Sequence, residues 1–246
     1  MSTEPTDYYE NWHTERLGMP VLDRERAHLA LLSTIVRPDD ALLDAGCADG
    51  RFLGMVREAF PRVRLVGADY SPAQVAVAAG AGFEVVQANF ESELPFADGE
   101  FSVVNLAQVI EHLHDPDRLL EEINRVLRPG GHLVLSTPNL CAWFNRILVP
   151  LGVQPIFYES STRSSSTGTG PLRRFKATDQ PVGHVRLFTL TALEDLLSLY
   201  GFGVVAVRGS VFDERLPGPA LAIDRVFAHR PRLAAILVVA ARKQPG

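Results

Sequence analysis

Apolar positions recur along the first half of the chain in two alternating rhythms. Residues 21–36 set Leu22, Ala27, Leu29, Ala30, Leu32 and Ile35 at helical spacing, and Pro38 closes that helix. A short apolar run at 41–45 follows, then a helical stretch at 51–60 and a strand at 63–68 that ends on Asp69. Ser71 can cap a helix whose first residue is Pro72, a favoured first position. Strands are predicted at 83–88 and 101–107. Residues 116–127 place Leu119, Leu120, Ile123 and Leu127 on one helical face, and Pro129-Gly130-Gly131 stops them before a fifth strand at 132–136. Strand and helix alternating over short connections predict crossover units and a parallel sheet. Such a sheet binds ligands beyond the carboxyl ends of its strands. Chemistry is therefore expected just after residues 44, 69, 88, 107 and 137.

The second half is less regular. A helix is expected over 139–151, and 160–170 is almost all small and polar, which reads as a flexible linker or a lid. Residues 191–200 form a clear helix pattern stopped by Gly201. Strands at 202–207 and 233–241 flank a long excursion that holds Pro217-Gly218-Pro219.

Composition narrows the class. The 246 residues are 46% hydrophobic and 22% charged with a net charge of −5, which suits one α/β domain and argues against a dedicated nucleic-acid binder. Two cysteines, Cys47 and Cys141, make no disulfide framework and no zinc cluster. No secretory leader is expected, and no apolar run reaches the ~18–20 residues of a membrane span. A soluble, cytoplasmic protein is expected.

The segment Asp44-Ala45-Gly46-Cys47-Ala48-Asp49-Gly50 follows the first strand and opens a helix, whose N-terminus offers free N–H groups. Its glycine spacing differs from G-x-G-x-x-G, and Asp44 would repel a pyrophosphate but suit an ammonium. The alternative is a tight turn that happens to carry glycines. Asp69, at the end of the second strand, stands where an acid accepts hydrogen bonds from ribose hydroxyls, or else caps the next helix.

These segments, with Leu94-Pro95-Phe96-x-Asp98-x-x-Phe101, Glu111-His112, Arg125-Val126-Leu127-Arg128-Pro129-Gly130-Gly131 and Ser136-Thr137-Pro138-Asn139, resemble a class I S-adenosylmethionine-dependent methyltransferase of the small-molecule type. The likeness runs from about residue 40 to 140 and resumes at 184–202. It implies a Rossmann-like, doubly wound α/β fold with seven strands in the order 3-2-1-4-5-7-6, the last antiparallel, and helices on both faces. It also implies one domain: a cover and helix at 1–36, a cofactor core at 37–139, a substrate insert at 140–183 and the closing strands at 184–246. Carried over by position, Gly46, Cys47, Ala48 and Gly50 pass beside the methionine part of S-adenosylmethionine, with Asp44 near its amino group. Asp69 holds the ribose, Tyr70 flanks the adenine, Asn89 contacts the adenine amino group, Phe90 follows at its edge, and Ala107 and Gln108 line the sulfonium region. Two positions depart from the pattern: Ala48 stands where glycine is usual, and Asn89 where aspartate is frequent. Ser102 also replaces a frequent aspartate and is read as structural.

Methyl transfer is an in-line displacement in which the protein positions the acceptor, and an oxygen acceptor also loses a proton. His112 is the candidate base, or else shapes the pocket, with Glu111 orienting it. His184 and Arg186 are expected to face the acceptor, Arg186 as an anion clamp, or else to brace the insert. Tyr9, in an aromatic N-terminal cover, and Asn139 complete the expected acceptor side. His28 carries no motif and is assigned an ordinary surface or core role. No compact acidic or histidine set stands out, so no metal is expected. The expected reaction is O-methylation of a small molecule such as a glycoside or other secondary metabolite, leaving S-adenosylhomocysteine. The competing expectation, motivated by Ala48 and Asn89, is a non-catalytic subunit that keeps the fold. A nucleic-acid substrate is disfavoured, and the oligomeric state is open.

Overall fold

The computed structural model describes residues 22–175, 179–212 and 218–245. The aromatic N-terminal cover with Tyr9 lies outside them. Helix α1 (Asp23–Ile35) leads into β1 (Ala41–Ala45), α2 (Arg51–Ala59), β2 (Arg64–Asp69), α3 (Pro72–Gly80), β3 (Glu84–Gln87) and β4 (Phe101–Ala107). A single 3-10 turn (Ile110–His112) precedes α4 (Pro116–Val126) and β5 (Leu127–Pro138). The insert holds α5 (Asn145–Leu148), and α6 (Leu190–Leu199), β6 (Phe202–Ser210), α7 (Gly218–Ala228) and β7 (Ile236–Lys243) complete the chain.

The strands form one sheet in the order β3-β2-β1-β4-β5-β7-β6, as the resemblance implies. The first five run parallel, and β7 is antiparallel to both of its neighbours. Alternation along each central strand splits the core in two. Leu43, Val104, Leu133 and Val239 face α4 and α6, where Leu119, Ile123, Leu193 and Leu197 cover them. Their neighbours Leu42, Val103, Val134 and Val238 face the other way, against Leu31 and Leu32 of α1 and Val56 of α2. Both faces being buried explains why these strands read as continuous apolar runs.

Local chemistry sets the helix starts. The side chains of Ser71, Asp115 and Thr189 accept hydrogen bonds from the backbone N–H groups of Gln74, Arg118 and Ala192. Ser102 is structural, as read: its hydroxyl accepts from the Ala41 N–H at 3.3 Å and joins β4 to β1. Arg125 draws the Leu94–Asp98 and Arg125–Gly131 segments together. It binds the Glu122 carboxylate at 2.7 Å, Asp98 at 2.8 Å, and the carbonyls of Phe96 and Leu94. Glu122 is nearly fully buried and keeps the Leu94 N–H at 2.8 Å and Arg118 at 3.4 Å, so Arg125→Ala removes its tightest partner without leaving it unpaired. The expected loss is about 2 kcal/mol of folding stability, the size of lost charge-assisted hydrogen bonds, read as a lower denaturant midpoint; an unchanged midpoint would remove this role.

Two expectations are corrected here. The helix expected over 139–151 is only a turn of α5 followed by a 3-10 turn (Val149–Leu151). The Asn139 side chain accepts from the Cys141 N–H at 2.9 Å, a local bond that competes with helix formation. Conversely, the excursion after β6 contains α7. Its buried Asp224 accepts from the Trp143 indole N–H at 2.8 Å, and Phe227 stacks on Trp143, so this helix is docked on the insert by tertiary contacts. Among the described residues, no helix is long and apolar enough to cross a membrane.

Candidate active site

The carboxyl ends of β1, β2 and β4 open into a cavity of about 840 Å³. Its floor is the turn after β1. The Gly46 and Cys47 N–H groups both donate to the Ala68 carbonyl of β2, and the Ala48 N–H donates to the Asp69 carboxylate at 2.8 Å. Gly46, at φ +85°, has no space for a Cβ against Val109. Ala48 is held at φ +47°, a left-handed conformation that most residues avoid. The Asp69 bond closes the turn there, so alanine is accommodated without glycine's freedom.

The cavity is lined by Asp44, Gly46, Cys47, Ala48, Asp69, Tyr70, Asn89, Phe90, Ala107, Gln108, Glu111, His112 and His184, all expected from the sequence. Gly50 does not line it. It caps α2 at φ +80° with Phe83 and Ala78 pressed against the space a Cβ would take, so its role is in packing. Asn139 and Arg186 also lie off the cavity. The Asn139 amide is buried and donates to the Ala234 carbonyl at 2.8 Å. The Arg186 guanidinium reaches the carbonyls of Leu113 and His114 and braces the turn after β4.

Asp44 is fully enclosed, and burial pushes its carboxyl up to about 7, against the opposing pull of a hydrogen bond from Asn105. That bond runs from Asn105 Nδ2 to Asp44 Oδ1 at 2.7 Å. Asn105 Oδ1 must then accept, and it does so from His28 Nδ1 at 2.6 Å. The chain His28–Asn105–Asp44 thus crosses from α1 through β4 to β1. It fixes the His28 proton on Nδ1 and leaves Nε2 as a lone pair, with no hydrogen-bond partner among the described residues. Burial lowers His28 to about 4, so it stays neutral. Sequence reasoning missed it because nothing near His28 in the chain marks it. Burial, with Asp44 and Asp69 nearby, pushes the Cys47 thiol up, so it is no nucleophile.

The other end of the cavity is built from the 3-10 turn after β4 and from the insert. The Glu159 carboxylate accepts from the N–H groups of Val182, Gly183 and His184 at 2.6, 2.7 and 3.1 Å. It draws residues 182–184 over the cavity, and the Glu111 carbonyl accepts from Val185 and Arg186 behind them. Glu159 is a second residue that sequence reasoning missed. Ser160, Ser161 and Thr162 of the polar stretch also line the wall. The His112 and His184 rings meet with centroids 4.9 Å apart. His112 Nδ1 lies 3.1 Å from the Gly183 carbonyl, and His184 Nδ1 lies 2.8 Å from the Phe157 carbonyl. A carbonyl only accepts, so each ring carries its proton on Nδ1 and its lone pair on Nε2. Burial and the neighbouring His184 lower His112 to about 4, and burial lowers His184 as well. Glu111 is fully buried beside them and pushed up to about 8 by desolvation. The Thr137 hydroxyl faces its carboxyl group without completing a hydrogen bond.

Known proteins with this pattern are numerous. A protein of Mycolicibacterium smegmatis, described as a probable S-adenosylmethionine-dependent methyltransferase, is 40% identical over 99 residues, or 40% of this chain and 38% of that protein. The aligned stretch spans about a third of the length of the first curated relatives. A chain of the complex between the Haloferax volcanii Trm112 methyltransferase activator and a methyltransferase superposes with a TM-score of 0.66 at 19% identity, covering 99% of both chains. The Burkholderia thailandensis 1,6-didemethyltoxoflavin-N1-methyltransferase, solved with 1,6-didemethyltoxoflavin and S-adenosylhomocysteine, does so at 0.60 and 19% identity, covering 97% of this chain and 86% of that one. Both structural likenesses speak for the fold alone. The family model for the methyltransferase domain matches residues 21–207, about three quarters of the chain, and this protein belongs to that family, whose methyl donor is S-adenosylmethionine.

Proposed function

We propose that this chain transfers a methyl group from S-adenosylmethionine to a hydroxyl of a small molecule. The observation that carries the reading is one continuous cavity with two chemically distinct ends. Carboxylates Asp44 and Asp69 line it from the ends of β1 and β2, and the neutral imidazoles of His112 and His184 from the turn after β4 and the segment after the insert.

The residues fit the donor. Asp44 is a buried carboxylate that hydrogen-bonds only a neutral amide among the bonds described, and an ammonium is the partner that would relieve it. Asp69 accepts from the N–H groups of Ala48 and Ser71, which orient its carboxylate, and would hold the ribose hydroxyls. Tyr70, Asn89 and Phe90 would bracket the adenine. The Asn89 amide oxygen already accepts from the Glu91 N–H at 3.0 Å, which orients that amide in the wall. Gly46, Cys47 and Ala48 would run beside the methionine part, with Ala107 and Gln108 at the sulfonium. When bound, the donor supplies an electrophilic methyl group; the oxygen–carbon bond forms as the carbon–sulfur bond breaks, and sulfur keeps the electron pair.

The protein's share is position and proton transfer. The segment 182–185, pinned by Glu159, would cover the acceptor and exclude water. Each histidine Nε2 offers a lone pair toward an acceptor proton, and both rings are neutral at pH 7. The insert at 140–183 supplies the acceptor wall. A glycoside or other hydroxylated metabolite is the acceptor we favour, since Ser160, Ser161 and Thr162 of the insert bring hydroxyl groups to the cavity wall.

Calorimetric titration with S-adenosylhomocysteine, with NADH as control, tests the reading. Saturable binding of S-adenosylhomocysteine alone is expected, followed by product formation in a screen of hydroxylated acceptors. Binding of NADH alone, or of neither ligand by folded protein freed of carried-over ligand, would overturn it.

A further inference from the structure

Three residues at the acceptor end form a constellation that the proton-transfer reading does not account for. Glu111, His112 and His184 each present a ligand-type atom, and these atoms all lie within 4.8 Å of one another. Glu111 is fully buried, and neither carboxylate oxygen has a hydrogen-bond partner among the described residues. A carboxyl group enclosed without a partner is costly. The two imidazoles are prepared differently. Backbone carbonyls of Gly183 and Phe157 hold their Nδ1 protons, which fixes both rings in the tautomer that offers Nε2. A backbone carbonyl on the far nitrogen is the usual support of a metal-binding histidine.

We propose that Glu111, His112 and His184 bind one divalent first-row transition-metal ion at the acceptor end of the cavity. Two imidazoles and one carboxylate suit zinc, cobalt, manganese or iron(II) better than magnesium, which favours an all-oxygen shell. With ligand bonds of about 2.1 Å, the three side chains close inward by small rotations, the rings pivoting about their Nδ1 hydrogen bonds. Three protein ligands leave a position open toward the cavity, where an acceptor oxygen can bind. The ion then polarises that oxygen, whose proton leaves to water; with the metal bound, this replaces the proton transfer to the imidazoles proposed for the metal-free protein. The charge on the ion also compensates the burial of the Glu111 carboxylate, whose oxygens complete no hydrogen bond among the described residues. The set is invisible in the sequence because His184 reaches Glu111 and His112 only across the insert, held by the Glu159 anchor and by the Val185 and Arg186 N–H bonds to the Glu111 carbonyl. The binding of the ion stands on these residues alone; its use in catalysis rests on the methyl-transfer reading above.

The test is titration of the chelator-treated protein with cobalt(II), read as visible d–d absorption, with S-adenosylhomocysteine binding measured on the same metal-free sample. One cobalt per chain is expected, with a spectrum of mixed nitrogen and oxygen ligation. Glu111→Gln, His112→Ala and His184→Ala should each weaken binding by about 100-fold or more, while His229→Ala, a histidine away from the cavity, leaves it unchanged. Circular dichroism identifies any variant that fails to fold, and Glu111→Gln, which keeps shape, guards against that outcome. No saturable cobalt binding, or equal affinity in all three folded ligand variants, overturns the site. Cobalt binding without S-adenosylhomocysteine binding overturns the methyl-transfer reading and leaves the site standing; the reverse result does the opposite.

Discussion

Asp44→Asn is expected to abolish most donor affinity while making the ligand-free protein more stable at pH 8. Both effects come from the same buried carboxylate. Its ordinary value of 3.8 is raised to about 7 in the folded chain, because burial disfavours the charge. Between about pH 4 and pH 7 the folded state therefore holds a proton that the unfolded state releases. Stability of the ligand-free protein is lost as pH rises through that window. The penalty above pH 7 is on the order of 4 kcal/mol as an upper bound. Asparagine removes it and still accepts the bond from Asn105 through its own amide oxygen. The thermal midpoint of the variant should match the native chain near pH 4 and exceed it increasingly toward pH 8. Affinity moves the other way. An ammonium bonded to a carboxylate contributes about 1.5–3 kcal/mol, so S-adenosylhomocysteine should bind roughly 10- to 100-fold more weakly. In the native chain its affinity should also fall below pH 7, as Asp44 takes up a proton. A variant that binds normally would remove Asp44 from the donor site. A midpoint difference that does not widen with pH would remove the buried charge.

His184→Ala should lower turnover by about 10²- to 10⁴-fold with donor affinity nearly intact. The side chain packs against His112 and Phe157 and bonds the Phe157 carbonyl, contacts that involve neither Asp44 nor Asp69. Its removal leaves the segment anchored, because Glu159 binds the backbone N–H groups of Val182, Gly183 and His184 and not the imidazole. The loss should therefore fall on kcat, with S-adenosylhomocysteine binding changed less than about threefold. Glu159→Ala releases the segment itself and should raise the acceptor KM as well. An unchanged rate in His184→Ala would take the histidine out of the chemistry. A parallel loss of donor binding would mean that it only holds the cavity together.

Most of the sheet was legible in the chain because local rules write it. Pairs of apolar residues facing both ways make the runs at β1, β4 and β5, while Ser71-Pro72 and Asp115-Pro116 start helices wherever they stand. The turn after β1 was legible for the same reason, since its glycines answer to backbone angles and to the strand that precedes them. The elements misread were those in which tertiary contacts override such rules. A buried Asn139 replaced a helix by a loop, and docking on Trp143 brought α7 out of a stretch that read as punctuation.

The site divides along the same line. Asp44, Asp69 and the residues between Gly46 and Ala48 sit at strand ends, so their position in the βα units already aims them at one place. Sequence by itself determined this part of the cavity wall. His28, Asn105, Glu159 and the meeting of Glu111 and His112 with His184 were decided only by the tertiary structure. Periodicity records which face a residue buries and is silent on the distant side chain it meets there. His28 reaches Asp44 through a residue of β4, and His184 returns to β4 across a long insert held by one carboxylate. Arg186 shows the reverse: its place in the chain pointed to the acceptor, and the carbonyls of Leu113 and His114 drew it away.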